Sequence, residues 1–182
     1  MCLDILRNPT KAILAAKKPN PKKAMMALLE SSVIFAIAAG ILVAKTVPAF
    51  VAGSVITTFF MALMAIVLFS LVVYITTTTL GGRGKYIEGL TATAYSAVPV
   101  SAGLLVVALL AWMPFVIGVQ IVVLALTLAL GISMLHRGIK ELYRVDMVTS
   151  FISVAISVFV ILLAVYASVG ISLLGRLASG VL

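Results

Sequence analysis

From Val98 to Leu135 the chain runs for 38 residues without a charged side chain. As a single helix rising about 1.5 Å per residue it would be about 57 Å long, nearly twice the ~30 Å hydrocarbon core of a bilayer. The run must therefore break. Trp112-Met113-Pro114 supplies the break, an interfacial aromatic followed by a proline suited to start a helix. Two membrane spans result, near residues 98–112 and 115–135.

The remaining apolar segments extend the same reading. Asn20-Pro21 places a capping residue before a helix-starting proline, and a first span follows near 24–44. Lys45-Thr46-Val47-Pro48 turns the chain into a second span near 49–75, which frays over Thr76–Thr79. After the polar linker HRGIKELYRVD, Asp146 caps a last span near 147–174. The sequence thus predicts an all-α integral membrane protein, a bundle of five transmembrane helices over residues 24–182. Residues 1–23 form an N-terminal amphipathic, basic segment. Only 10% of the residues are charged, against roughly 25% in soluble domains, and no polar stretch is long enough to bury a core of its own.

Charge orients the bundle. Six basic residues precede the first span, among them Lys17, Lys18, Lys22 and Lys23. Arg83 and Lys85 follow the second span, and Arg137, Lys140 and Arg144 follow the fourth. With the N-terminus inside, these eleven are cytoplasmic and only Lys45 and Arg176 are external. Merging the third and fourth spans would leave nine inside and four outside, so the positive-inside rule favours five spans. The expectation is a multi-pass protein of the cell membrane, N-terminus cytoplasmic and C-terminus external. The net charge of +8 then addresses anionic lipid headgroups, and no groove-reading module points to nucleic acid. Asn8-Pro9 opens a short basic helix, with Ile13 and Leu14 on one side and Lys11 and Lys18 on another. It either lies on the headgroups or serves as a solvated tether.

Residues that could carry chemistry are few. Cys2 is the single cysteine, which excludes an internal disulfide, and the N-terminus lacks the pattern of a cleavable signal peptide. Glu30 is the only acid within the proposed spans and Gln120 the only other strongly polar residue. Both are intramembrane polar candidates, with a structural role weighed above proton or substrate handling. His136 is the single histidine and has no partner ligands for a metal. It reads as a headgroup-level cation beside Arg137. No nucleophile elbow, zinc-binding HExxH or phosphate-binding loop is present, so no catalytic residue, cofactor or metal is expected.

Small residues at spacings of four mark close helix contacts: Ala36, Gly40 and Ala44 in the first span, Ser153 and Ser157, then Ala164, Ser168 and Ser172 in the last. These stripes suit packing within the chain or, alternatively, a homo-oligomer or other membrane proteins. Between the second and third spans, Gly81–Gly84 ends a helix. Lys85–Tyr95 then reads as an amphipathic elbow on the membrane surface, with Tyr86, Leu90 and Tyr95 offered to apolar chains. Pro99 marks the bend into the third span.

At these residues the chain resembles a small prokaryotic member of the Yip1 family. The resemblance rests on Asn8-Pro9, on Gly81-Gly82-Arg83-Gly84, on Tyr95-Ser96-Ala97-Val98-Pro99 and on Arg137-Gly138-Ile139-Lys140-Glu141-Leu142-Tyr143. It implies five spans and a non-enzymatic role in organising membrane or protein partners through a basic cytoplasmic face. Eukaryotic members are linked to vesicle traffic and Rab-type GTPases. Their Asp-Leu-Tyr-Gly motif is absent from this sequence, so the resemblance carries the architecture and not Rab binding. The alternative is a small transporter or channel subunit, whose polar route would have to use Glu30, Gln120, Thr57, Thr58 and Thr76–Thr79.

Overall fold

A computed structural model describes residues 21–113 and 116–178, with side chains up to Leu163 and that of Tyr166. The expected helix after Asn8-Pro9, with Lys17 and Lys18, lies outside the described residues, as do Pro114 and the side chains of Ala164, Ser168 and Ser172. Five long helices make up the fold, with no strand among the described residues. They are α1 (Pro21–Thr46), α2 (Val51–Thr79), α3 (Tyr86–Leu110), α4 (Ile117–Tyr143) and α5 (Met147–Ala178), with a single 3-10 turn at Pro48–Phe50. The first four are long and apolar enough to cross a membrane, and Met147–Leu163 adds a shorter apolar stretch in α5.

The breaks follow local chemistry. Pro21 and Pro48 stand first in their helices, where the missing N–H would be unpaired anyway. The 38-residue uncharged run divides where expected, since α3 ends at Leu110 and the chain turns at Ala111–Met113. At the start of α5, Asp146 accepts the amides of Val148 at 2.9 Å and Thr149 at 3.1 Å, which is the expected cap.

The elbow is a correction. Within Lys85–Tyr95 only Lys85 is exposed, so the segment is not an amphipathic elbow. A continuous helix starts at Tyr86, runs through Pro99 and ends at Leu110, with every residue from Gly89 to Ser96 buried. Pro99 sits inside this helix and leaves the Tyr95 carbonyl without its helical donor. The physical reason is that Thr, Ala and Ser in TATAYSA are small, and their hydroxyls can be satisfied locally. Thr91 donates to the Ile87 carbonyl at 2.7 Å, Thr93 to Gly89 at 2.9 Å and Ser96 to Thr93 at 2.8 Å. A segment that satisfies its own polar groups and projects little bulk can go to the centre of a bundle.

Accordingly α3 is the central helix, packed on α1, α2 and α4, while α5 bridges α2 and α4. One core cluster joins Ala27 and Leu28 of α1, Ile66 of α2, Leu90 to Val98 of α3 and Met134 of α4. A second joins Val73, Ala92, Leu135, Ile139, Tyr143 and Val154. Leu28 and Leu90, near the starts of their helices, share one core cluster, and Lys45 Nζ near the end of α1 donates to the Ala111 carbonyl, so α1 runs parallel to α3. Gly40 on the expected α1 stripe approaches α2, where an added Cβ would stand 2.6 Å from Val55 Cγ2. Ala36 on the same stripe is buried. This stripe serves packing within the chain.

Candidate functional site

Helix directions bring together residues that are far apart in sequence. The start of α1, the α2–α3 loop, the end of α4 and the α4–α5 linker share one end of the bundle. Seven described cations lie there, Lys22, Lys23, Arg83, Lys85, Arg137, Lys140 and Arg144, and all seven are exposed. At the opposite end the described side chains contribute Lys45.

This basic end is built on one aromatic residue. Tyr143 is fully buried at the end of α4, and three glycines make room for it. An added Cβ at Gly84 would stand 2.5 Å from Tyr143 Cε1. One at Gly89 would stand 2.5 Å from its hydroxyl oxygen, and one at Gly82 would be 3.3 Å from Cδ1. The loop closes over the ring through the backbone. Gly82 N–H donates to the Thr77 carbonyl at 2.9 Å, and Arg83 N–H donates to the Tyr143 carbonyl at 3.2 Å. The Tyr143 hydroxyl lies 3.4 Å from the Lys85 carbonyl. Gly81 takes a φ of 93°, open to glycine without strain. Glu88 accepts the Lys85 amide at 2.6 Å and fixes the start of α3. The glycine loop and the segment from Arg137 to Tyr143 are thus one structural unit, and it holds Arg83, Lys85 and Arg144 in fixed backbone positions.

Tyr86, expected to face apolar chains, turns inward. Its hydroxyl accepts from Ser70 Oγ at 2.9 Å, and its ring meets Tyr74 edge-on at 6.1 Å. Leu90 and Tyr95 are buried as well. His136 is also corrected. Instead of standing free as a headgroup-level cation, it ties α4 to α5, with Nδ1 2.9 Å from Ser150 Oγ and its carbonyl accepting from that hydroxyl at 2.7 Å.

The intramembrane polar candidates do not converge. Glu30 is half-buried on α1 within electrostatic reach of Tyr95, and its Oε2 is enclosed without a hydrogen-bond partner. Gln120 is half-buried near the start of α4, at the other end of the bundle. Thr76, Thr78 and Thr79 donate to carbonyls of their own helix. An apolar cleft of about 800 Å³ lies among the helices, and of the proposed polar route only Thr57 and Thr58 line it. No group of three His, Cys, Asp or Glu residues that could hold a metal occurs among the described residues.

Sequence reasoning missed the seat of Tyr143 and the close α3–α4 contact. The signal was there in the glycines. Gly103 meets Thr127, Gly131 meets Val100 and Gly138 meets Ala92, but they alternate between two helices and show no stripe on either alone.

A family model described as the Yip1 domain matches residues 3–169, nearly the whole chain. No curated protein and no solved structure matches it.

Proposed function

The chain belongs to the Yip1 family, a family of membrane proteins without enzymatic activity, and from that premise we propose that it organises membrane or protein partners through its basic end. In this reading five helices cross the membrane, the N-terminus and the basic end face the cytoplasm, and the C-terminus is external. The observation that carries the reading is the gathering of seven described cations at one end of the bundle. A juxtamembrane Lys or Arg contributes ~1 kcal/mol near an anionic surface, so such a cluster selects acidic headgroups from a mixed bilayer. The fixed loop over Tyr143 supports a role in presentation, because it positions Arg83 and Lys85 on a frame that does not need to order on binding.

The transporter reading has less support. Its polar residues are divided between the two ends of the bundle, and the Thr76, Thr78 and Thr79 hydroxyls are engaged by their own helix.

Retention of anionic lipid, measured by native mass spectrometry, tests the proposal. Replacing Lys17, Lys18, Lys22 and Lys23 by Gln should lower retained anionic lipid at low salt while leaving the helices folded. Added salt should reproduce the loss in the native chain, because the screening length is ~10 Å at 0.1 M. Equal retention by the two proteins at low salt would reduce the N-terminal lysines to a topology signal.

A further inference from the structure

The apolar cleft lies within a circuit of four helices, with Phe35 of α1 adding to its lining. α2 packs on α3, α3 on α4, α4 on α5 and α5 on α2. Its walls come from Met61 and Ala65 of α2, Ala97 of α3, Leu128 and Ile132 of α4, and Ile161 of α5. These positions place it at mid-length of the helices, within the band that faces hydrocarbon in the reading above.

The cleft is blocked toward the basic end. Thr76 and Ser157 are linked across α2 and α5 by hydroxyls 2.8 Å apart, and Ser150 links α5 to His136 of α4. It opens at its side. The gap lies between α2 and α4, where the lining residues Met61, Leu68, Leu128 and Ile132 are 66%, 52%, 43% and 49% exposed. The result is a blind slot that opens sideways between helices.

Physical chemistry limits what can occupy it. Water finds few partners, since the lining hydroxyls of Thr93 and Ser96 already donate to backbone carbonyls and only Thr57 and Thr58 add further hydroxyls to an otherwise apolar lining. A cavity of about 800 Å³ left empty would forfeit dispersion contacts along its whole lining. A helix is too thick, because a cylinder ~10 Å across fills about 800 Å³ within roughly two turns, far short of a span. A slender, flexible, apolar chain fits, and in a bilayer that chain is at hand.

We propose that this cleft is a binding site for one acyl chain of a bilayer phospholipid, entering from the side between α2 and α4. The site is distinct from the basic end and does not depend on its charges. The whole chain, reconstituted in phosphatidylcholine vesicles containing a phosphatidylcholine with a mid-chain diazirine, provides the test. This lipid has no net charge, so the result is independent of whether the basic end binds anionic headgroups. After photolysis, label should concentrate on Met61, Ala65, Leu128 and Ile132 relative to the outward-facing Phe159 and Leu126. Ala62→Phe, which fills the cleft, should lower cleft labelling by about tenfold, equivalent to about 1.4 kcal/mol, and leave outward labelling unchanged. Ala62→Leu should lower it less, and decides the matter if the larger residue prevents folding. Cleft labelling no higher than outward labelling, or unchanged in the filled variants, would overturn the proposal. In a Cys2→Ser background, a disulfide between two copies through Ala62→Cys would also overturn it and place a second protomer there.

Discussion

The ring of Tyr143 lies against the α-carbon of Gly84, so close that a Cβ at that position would stand 2.5 Å from Cε1. One residue belongs to the loop after α2 and the other to the end of α4. Their contact holds the α2–α3 loop onto the end of α4, because Arg83 N–H donates to the carbonyl of the same tyrosine.

Gly84→Ala must therefore displace the ring or the loop. Overpacking of this kind costs about 1–3 kcal/mol. Gly53→Ala is the matched control, since nothing lies within 4 Å of its added Cβ. There the change should stabilise α2 by about 0.5–1 kcal/mol, through helix propensity alone. Thermal unfolding in one detergent should separate the two variants in opposite directions from the native chain. A Gly84→Ala protein as stable as Gly53→Ala would show that the loop does not hold the tyrosine.

Much of this architecture was legible in the sequence because its causes are local. The length of the uncharged run demanded a break, and Asp146 before an apolar segment announced a cap. The central position of α3 was not legible. In TATAYSA the hydroxyl groups suggest contact with water, and only the bonds from Thr91, Thr93 and Ser96 to their own helix explain why the segment is buried. The candidate site divided in the same way. The cations could be assigned to one side by counting, whereas the Tyr143 seat depends on Gly82, Gly84 and Gly89 meeting a residue more than fifty positions away. Contacts of that range leave no periodic trace.

The cap at Asp146 should be sensitive to acid. Its carboxylate is held below the usual carboxylate range, first by the Thr149 hydroxyl and then by the Thr149 amide, with the Val148 amide adding to them. A depressed folded-state pKa contributes stability above the unfolded value, and the contribution is lost as pH falls through the folded one. Amide exchange at Val148 and Thr149, corrected for intrinsic rate, should therefore accelerate below the ordinary carboxylate range. Asp146→Asn keeps an acceptor that does not titrate, and its exchange at these amides should lose that extra acid sensitivity. Identical acid profiles in the two proteins would remove Asp146 as the cause.

Glu30 makes the opposite demand on its surroundings. Its Oε2 is enclosed without a partner, and a buried polar atom left unpaired costs about 1–3 kcal/mol. Glu30→Gln keeps the shape and removes the charge, so we expect thermal stability to be equal or higher. A clear loss of stability would mean that the carboxylate has a partner when the protein is in its membrane, and would restore it as a functional candidate.

The proposed orientation can be tested at the two ends of the chain. An impermeant thiol reagent should reach Cys2 only after cells are permeabilised. In a Cys2→Ser background, Leu182→Cys should react in intact cells. The expectation rests on the charge asymmetry, since seven exposed described cations share one end and Lys45 alone among the described side chains stands at the other. Translocating that cluster would carry several strongly hydrated charges across the hydrocarbon, each costly at the centre of the bilayer. Reaction of Cys2 in intact cells would reverse the orientation and put the basic end outside, away from the anionic cytoplasmic leaflet that the functional proposal needs. Reaction of both termini on one side would mean an even number of crossings. The helix to lose would then be α5, whose described apolar stretch, Met147–Leu163, is shorter than the other four.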